Sequence, residues 1–186
     1  TLVRQLAGLL RPTSGSIRLF GTEISRDPSG VPLKVSYLAQ KPFALWDLRV
    51  REALVITGHL RGMTWRAARA QADELMGLLG LEAQAHRLLG RLSGGQQRLA
   101  ALGVALMGEL PVLILDEPTN ELDPANRRLV WRHLLELNRH RGVTIILVTH
   151  NVLEAEQVLQ RLAILNHGRL VATGTPGELK ARVDHR

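Results

Sequence analysis

Hydrophobic positions divide the chain into stretches of different period. Residues 2–10, Leu2-Val3-Arg4-Gln5-Leu6-Ala7-Gly8-Leu9-Leu10, place apolar side chains at helical spacing with neither an entry strand nor a cap before them. Arg11-Pro12-Thr13-Ser14-Gly15 predicts a turn. Residues 16–20 then alternate as a short strand closed by Gly21, and residues 35–39 form another strand that ends at Gln40. From residue 41 to about residue 103 the period turns helical. One helix spans 50–60, a second spans 65–79 with Thr64 as its cap and Gly80 as its stop, and a third begins at Ser93. Alternating structure resumes with a strand at 112–115. Asp123 caps the next helix, whose first residue is Pro124 and which runs to Arg141 before Gly142. A strand at 143–148, a helix at 151–159 and a hairpin follow. The hairpin arms are 162–165 and 169–173, turning at Asn166-His167-Gly168. Thr175-Pro176-Gly177-Glu178 opens a last helix. The apolar runs at 112–115 and 143–148 are short and bounded, which predicts buried strands of a parallel sheet. The class is α/β, with a mostly parallel sheet and the segment 41–103 inserted as a helical subdomain.

Composition narrows this picture. The 186 residues suffice for one domain with a full core, and no stretch approaches the roughly 20 consecutive apolar residues a membrane helix needs. Without cysteine there are no disulfides and no thiolate ligands or nucleophiles. A net charge of +7 admits a nucleic-acid partner, an anionic membrane leaflet, or simply Arg-rich solvated helix faces. The arginines are scattered and there are only one Tyr and two Phe, which argues against a basic groove lined with stacking aromatics. The chain begins at Thr1 inside a helical pattern, and these first residues show no signal-peptide pattern. The expectation is a fragment cut within a domain.

Four places carry chemistry. Val112-Leu113-Ile114-Leu115-Asp116-Glu117 is an apolar strand that delivers two carboxylates to the C-terminal edge of the sheet, where α/β sites lie. There an Asp holds Mg²⁺ and a neighbouring Glu accepts a proton from attacking water, unless both are only solvated acids. In Leu92-Ser93-Gly94-Gly95-Gln96 the serine caps a helix and two glycines open the backbone N–H groups to an anion. An ordinary capped helix after a glycine turn is the competing reading. His150 follows the strand 143–148 and can hydrogen-bond a phosphate or water, though a lone His after a strand is usually structural. Gln40 stands in a comparable place after 35–39.

Taken in order, Gln40, Leu92 to Gln96, Leu115-Asp116-Glu117-Pro118-Thr119, Leu122-Asp123-Pro124 and His150 resemble the Q-loop, signature, Walker B, D-loop and H-loop of the ATP-binding domains of ABC transporters. The resemblance implies a P-loop NTPase-type fold over residues 1–186, with 41–103 the inserted subdomain bearing the signature and 104–186 the rest of the core. It implies that Asp116, with Gln40, organises Mg²⁺ and that Glu117 activates water. His150 would contact the γ-phosphate. Ser93, Gly94, Gly95 and Gln96 would bind the nucleotide held by a second ATPase subunit, identical or related, with Asp123 at the seam or merely capping its helix. Thr1 would lie near the α-phosphate. The glycine loop and Lys that cradle the phosphates, the strand before them and the adenine-stacking aromatic would lie upstream, so this polypeptide alone is expected to bind ATP poorly. Where the family often has Ser-Gly-Leu-Asp, this chain has Asn120-Glu121-Leu122-Asp123, which adds a charge at the seam.

The implied function is ATP hydrolysis driving transport through a separate transmembrane permease. The subunit would then be cytoplasmic, peripheral on the inner face of the cell membrane, without a nucleic-acid partner. Residues 45–52 look more like ATPases of export-type permeases, and Phe43, Leu45 and Trp46 are either docking contacts or packing inside the insertion. The alternative is a non-transport ABC ATPase acting on DNA or ribosomes. Such proteins carry long coiled-coil or zinc-bearing insertions, or paired domains, that are not visible here.

Overall fold

A computed structural model of the chain describes residues 1–41, 45–151, 156 and 158–184. It comprises two compact units, Thr1–Val148 and Thr149–Arg186. The first unit holds helix α1 (Leu2–Leu6), the strand pair β1 (Arg18–Leu19) and β2 (Thr22–Glu23), strand β3 (Val35–Leu38), helices α2 (Val50–Leu60), α3 (Trp65–Leu78) and α4 (Gly94–Leu106), strand β4 (Val112–Asp116), helix α5 (Pro124–Arg141) and strand β5 (Thr144–Val148). The second holds the hairpin β6 (Leu162–Asn166) and β7 (Arg169–Gly174) and helix α6 (Pro176–Asp184).

Three strands make the central sheet in the order β3-β4-β5, all parallel. Side-chain alternation assigns its two faces. Val35, Val112 and Ile114 pack with Ala7, and Tyr37 and Ile146 lie against this cluster together with Val3 and Leu6 of α1. The opposite face meets α4, where the buried Ser36 hydroxyl donates to the Ala105 carbonyl at 2.7 Å. Helices therefore cover both faces, as the α/β pattern predicts.

The middle strand is buried from Val112 to Leu115, as expected of a parallel strand flanked on both edges. β5 departs from expectation: Thr144 is exposed and Ile145 to Val148 are only half-buried, because β4 is its only partner among the described strands. Two further corrections concern local structure. The first helix stops at Leu6, since Gly8 adopts φ 72° with Val31 packed 3.1 Å from where its Cβ would stand. The expected strand at 16–20 is instead a tight hairpin. Phe20 (φ 49°) and Gly21 (φ 80°) form its two-residue turn, which needs two left-handed residues, and Phe20 stands exposed in it. His167 (φ 47°) and Gly168 (φ 75°) repeat the device between β6 and β7.

Helix ends follow the sequence. Thr64 caps α3, accepting from Ala67 N–H at 3.2 Å, and α5 begins with Pro124 and ends at the left-handed Gly142. Most of the helix expected at 151–159, and Phe43, lie outside the described residues. Among the described residues no helix is long and apolar enough to cross a membrane.

Candidate functional site

Parallel register places the acidic strand end. Leu38 pairs with Leu115 and Asp116 pairs with Val148, so Gln40 and Glu117 each follow two residues beyond the same pair. Asp116 is half-buried, and the Tyr37 hydroxyl hydrogen-bonds its side chain. Burial and the nearby Asp116 charge raise the Tyr37 pKa, so the phenol stays a donor.

Glu117 is 8% exposed and sits at φ 51°, a left-handed conformation that costs about 1–3 kcal/mol and persists only where its surroundings hold it. Both adjoining peptides are pinned. The Glu117 N–H donates to the Val148 carbonyl at 2.8 Å, and the Glu117 carbonyl accepts from Arg98 Nη2 at 2.6 Å. Strained backbone of this kind, placed at the end of a buried strand, marks positions where side-chain direction matters more than stability.

The signature turn is a capping box. Ser93 Oγ accepts from Gln96 N–H at 3.4 Å, and Gln96 Oε1 accepts from Ser93 N–H at 3.2 Å. Gly94 and Gly95 form the first turn of α4, and Glu121 (φ 66°) packs onto them. A Cβ on Gly94 would collide with the Glu121 carboxylate, and one on Gly95 would stand 3.0 Å from the Glu121 carbonyl. The glycines thus serve close packing inside the chain as well as an open N-terminus. Glu121, an unexplained departure in the sequence, is a carboxylate beside the end of a helix that favours anions.

Asp123 performs its local duty. Its Oδ1 accepts from Ala125 N–H at 2.9 Å and Asn126 N–H at 3.0 Å, and Oδ2 accepts from Asn126 Nδ2 at 2.6 Å. These bonds, chiefly those from Asn126, hold its carboxyl below the ordinary range. Thr1 is exposed at the head of α1. His150 is exposed within the second unit, where Asn151 N–H donates to Thr149 Oγ1 at 3.0 Å. The Trp46 carbonyl accepts from Gly90 N–H at 3.0 Å, so this residue packs within the helical region. With Tyr37, Leu45 and Gln97 it lines an apolar groove of about 370 Å³.

The sequence reading missed Arg98. Its guanidinium is buried, 5% exposed, and bonds backbone carbonyls after both β3 and β4. Burial lowers its pKa, an effect opposed by the charges of Asp116, Glu121 and Glu117. The available signal was a cation followed by Leu99-Ala100-Ala101-Leu102 in an otherwise apolar helix, where a charge persists only if fully partnered.

Comparison with known proteins identifies the family. The family described as ABC transporter matches residues 1–120. The chain is 38% identical over 181 residues to the daunorubicin/doxorubicin resistance ATP-binding protein DrrA of Streptomyces peucetius, covering 97% of this chain and 54% of that protein. It is 39% identical over 181 residues to the Nod factor export ATP-binding protein I of Paraburkholderia xenovorans, covering 97% and 59%. The chain therefore spans somewhat more than half the length of these relatives. Two solved structures share the fold at 24% identity. One is a dimeric post-hydrolysis state of an ATP-binding cassette bound to ADP and phosphate (TM-score 0.85, 94% of this chain and 78% of that one). The other is an ATP-binding subunit of an ABC transporter (TM-score 0.91, 100% and 77%). With five motifs in family order on a matching fold, this chain belongs to the ABC transporter family.

Proposed function

We propose that the whole protein is the ATP-binding and ATP-hydrolysing subunit of an ABC transporter and drives solute export through a separate membrane permease. The observation that carries this reading is the convergence of Gln40, Asp116 and Glu117 with the start of α4, tied together through one buried guanidinium. A metal-binding carboxylate, a candidate base and an anion-binding helix start then share one rigid frame. The names of relatives concerned with drug resistance and Nod factor export support the export direction.

In this mechanism Glu117 accepts the proton of the attacking water, and its pinned backbone fixes the direction of approach. Asp116 and the Gln40 amide oxygen are hard oxygen donors on adjacent strand ends, suited to Mg²⁺. Bound there with ATP, the ion would supply neutralisation of phosphate charge. Tyr37 keeps the Asp116 carboxylate oriented. The N–H groups of Gly94 and Gly95 and the Ser93 hydroxyl, in a turn fixed by Gln96, bind the γ-phosphate of a nucleotide held by the second ATPase subunit, while Asp123 keeps α5 aligned at the seam. His150 contacts the γ-phosphate, and Thr1 lies near the α-phosphate. A loop that cradles the phosphates completes the site in this mechanism.

The helical region 41–103 carries ATP-driven opening and closing to the permease, with Leu45, Trp46 and their groove facing it. The subunit thereby works on the inner face of the membrane. In the whole protein Glu117→Gln should cut turnover by about a hundredfold or more while retaining an ATP-bound dimer. Parallel measurement of phosphate release and of mass by light scattering checks both halves, and undiminished hydrolysis refutes the assignment of the base.

A further inference from the structure

Arg98 stands five residues past Ser93, in the second turn of α4. A guanidinium offers five N–H donors in one plane. Here Nε donates to the Pro118 carbonyl (3.3 Å), Nη1 to those of Ala39 (2.8 Å) and Gln40 (3.2 Å), and Nη2 to those of Asp116 and Glu117 (2.6 Å). Five donors thus meet five carbonyls, drawn from the two strand ends that present Gln40, Asp116 and Glu117. Every one of these acceptors is backbone, so the interaction specifies peptide orientation and is not an ion pair.

The consequence is sharpest at Glu117. Its left-handed φ persists because the preceding peptide is held by Val148 and the following one by Arg98. Fixing both peptide planes fixes the Cα–Cβ direction and so the region that the carboxylate can reach. The same side chain is rooted in the helix that begins with the signature turn. We propose that Arg98 is a positioning residue. It aims Glu117 from the signature helix, so that the orientation of the base depends on the placement of α4.

This rests on the reading of Glu117 as the base. A lysine keeps the charge but has three donors at one point, and it cannot hold two strand ends at once. In the whole protein with its permease, Arg98→Lys should lower kcat about ten- to a hundredfold, as expected for a small misplacement of a catalytic group, with KM for ATP moving little. In a double-mutant cycle, R98K should cost nothing further once E117Q is present, because the group it aims is gone.

Three outcomes overturn the proposal. One is an R98K chain that melts early yet turns over normally per folded molecule, or that does not fold at all; either makes Arg98 a structural strut. Another is an R98K loss of equal size in the E117Q background, which shows that it acts elsewhere. The third is full turnover by E117Q alone. That removes the premise itself, and it is distinguishable because it appears without any change at Arg98.

Discussion

Two arginines, Arg98 buried and Arg61 half-buried, serve α4, and they do different things. Arg61, just past the end of α2, donates to the carbonyls of Val104 (3.1 Å), Ala105 (3.0 Å) and Met107, and to Ser36 Oγ at 2.9 Å. It closes the C-terminus of the helix, where carbonyls lack partners and the dipole favours a cation. Burial pulls its pKa down to about 10, so it remains charged at neutral pH. Arg98 leaves the helix ladder alone and binds strand-end carbonyls instead. The same chemistry stitches a helix to its neighbours at one end and, on the proposed reading, positions the candidate base at the other. Buried charge by itself therefore does not mark function; what its acceptors belong to does.

That contrast can be broken by substitution. Arg61→Met strips several hydrogen bonds from buried carbonyls and should destabilise the fold by about 3 kcal/mol. Turnover per folded molecule should stay within about twofold of the parent, since Arg61 contacts none of the site residues. Thermal melting and initial rates on the same sample test this. An R61M protein that melts normally but hydrolyses slowly would erase the distinction, whereas R98K should lose turnover per folded molecule well beyond any change in its melting.

A smaller effect sharpens the picture at the open end of α4. The Glu121 carboxylate beside Gly94 adds negative charge where a phosphate is proposed to bind. Glu121→Gln should tighten ATP-dependent dimerisation severalfold, about 1 kcal/mol of relieved repulsion, with the gain shrinking as salt rises. Sedimentation at two ionic strengths is the check, and weaker dimerisation would mean that the carboxylate supports the signature turn.

Much of this was legible in the residues. The capped signature turn, the Asp123-Pro124 helix start, the Gly142 stop and the acidic end of β4 were read correctly because each depends on a few adjacent side chains. The failures were of two kinds. Period-two alternation ran through residues 16–20 because Phe20 is apolar, yet it occupies a left-handed turn position. The partial exposure of β5 and the role of Arg98 depend on which strands lie side by side, information that no local pattern contains. Glu121 was noticed as unusual, but its contact with Gly94 joins residues 27 positions apart.

The central claim is that each site takes its base from one copy and its signature turn from the other. It is tested most directly by mixing two inactive variants of the whole protein. E117Q removes the base, and Ser93→Asp keeps a good helix cap while placing a negative charge in the path of the phosphate. A mixed dimer then contains one site with both defects and one with neither. Recovery of ATP hydrolysis on mixing is the predicted result. A mixture as silent as its two parents, although mixed dimers form, would contradict the shared site.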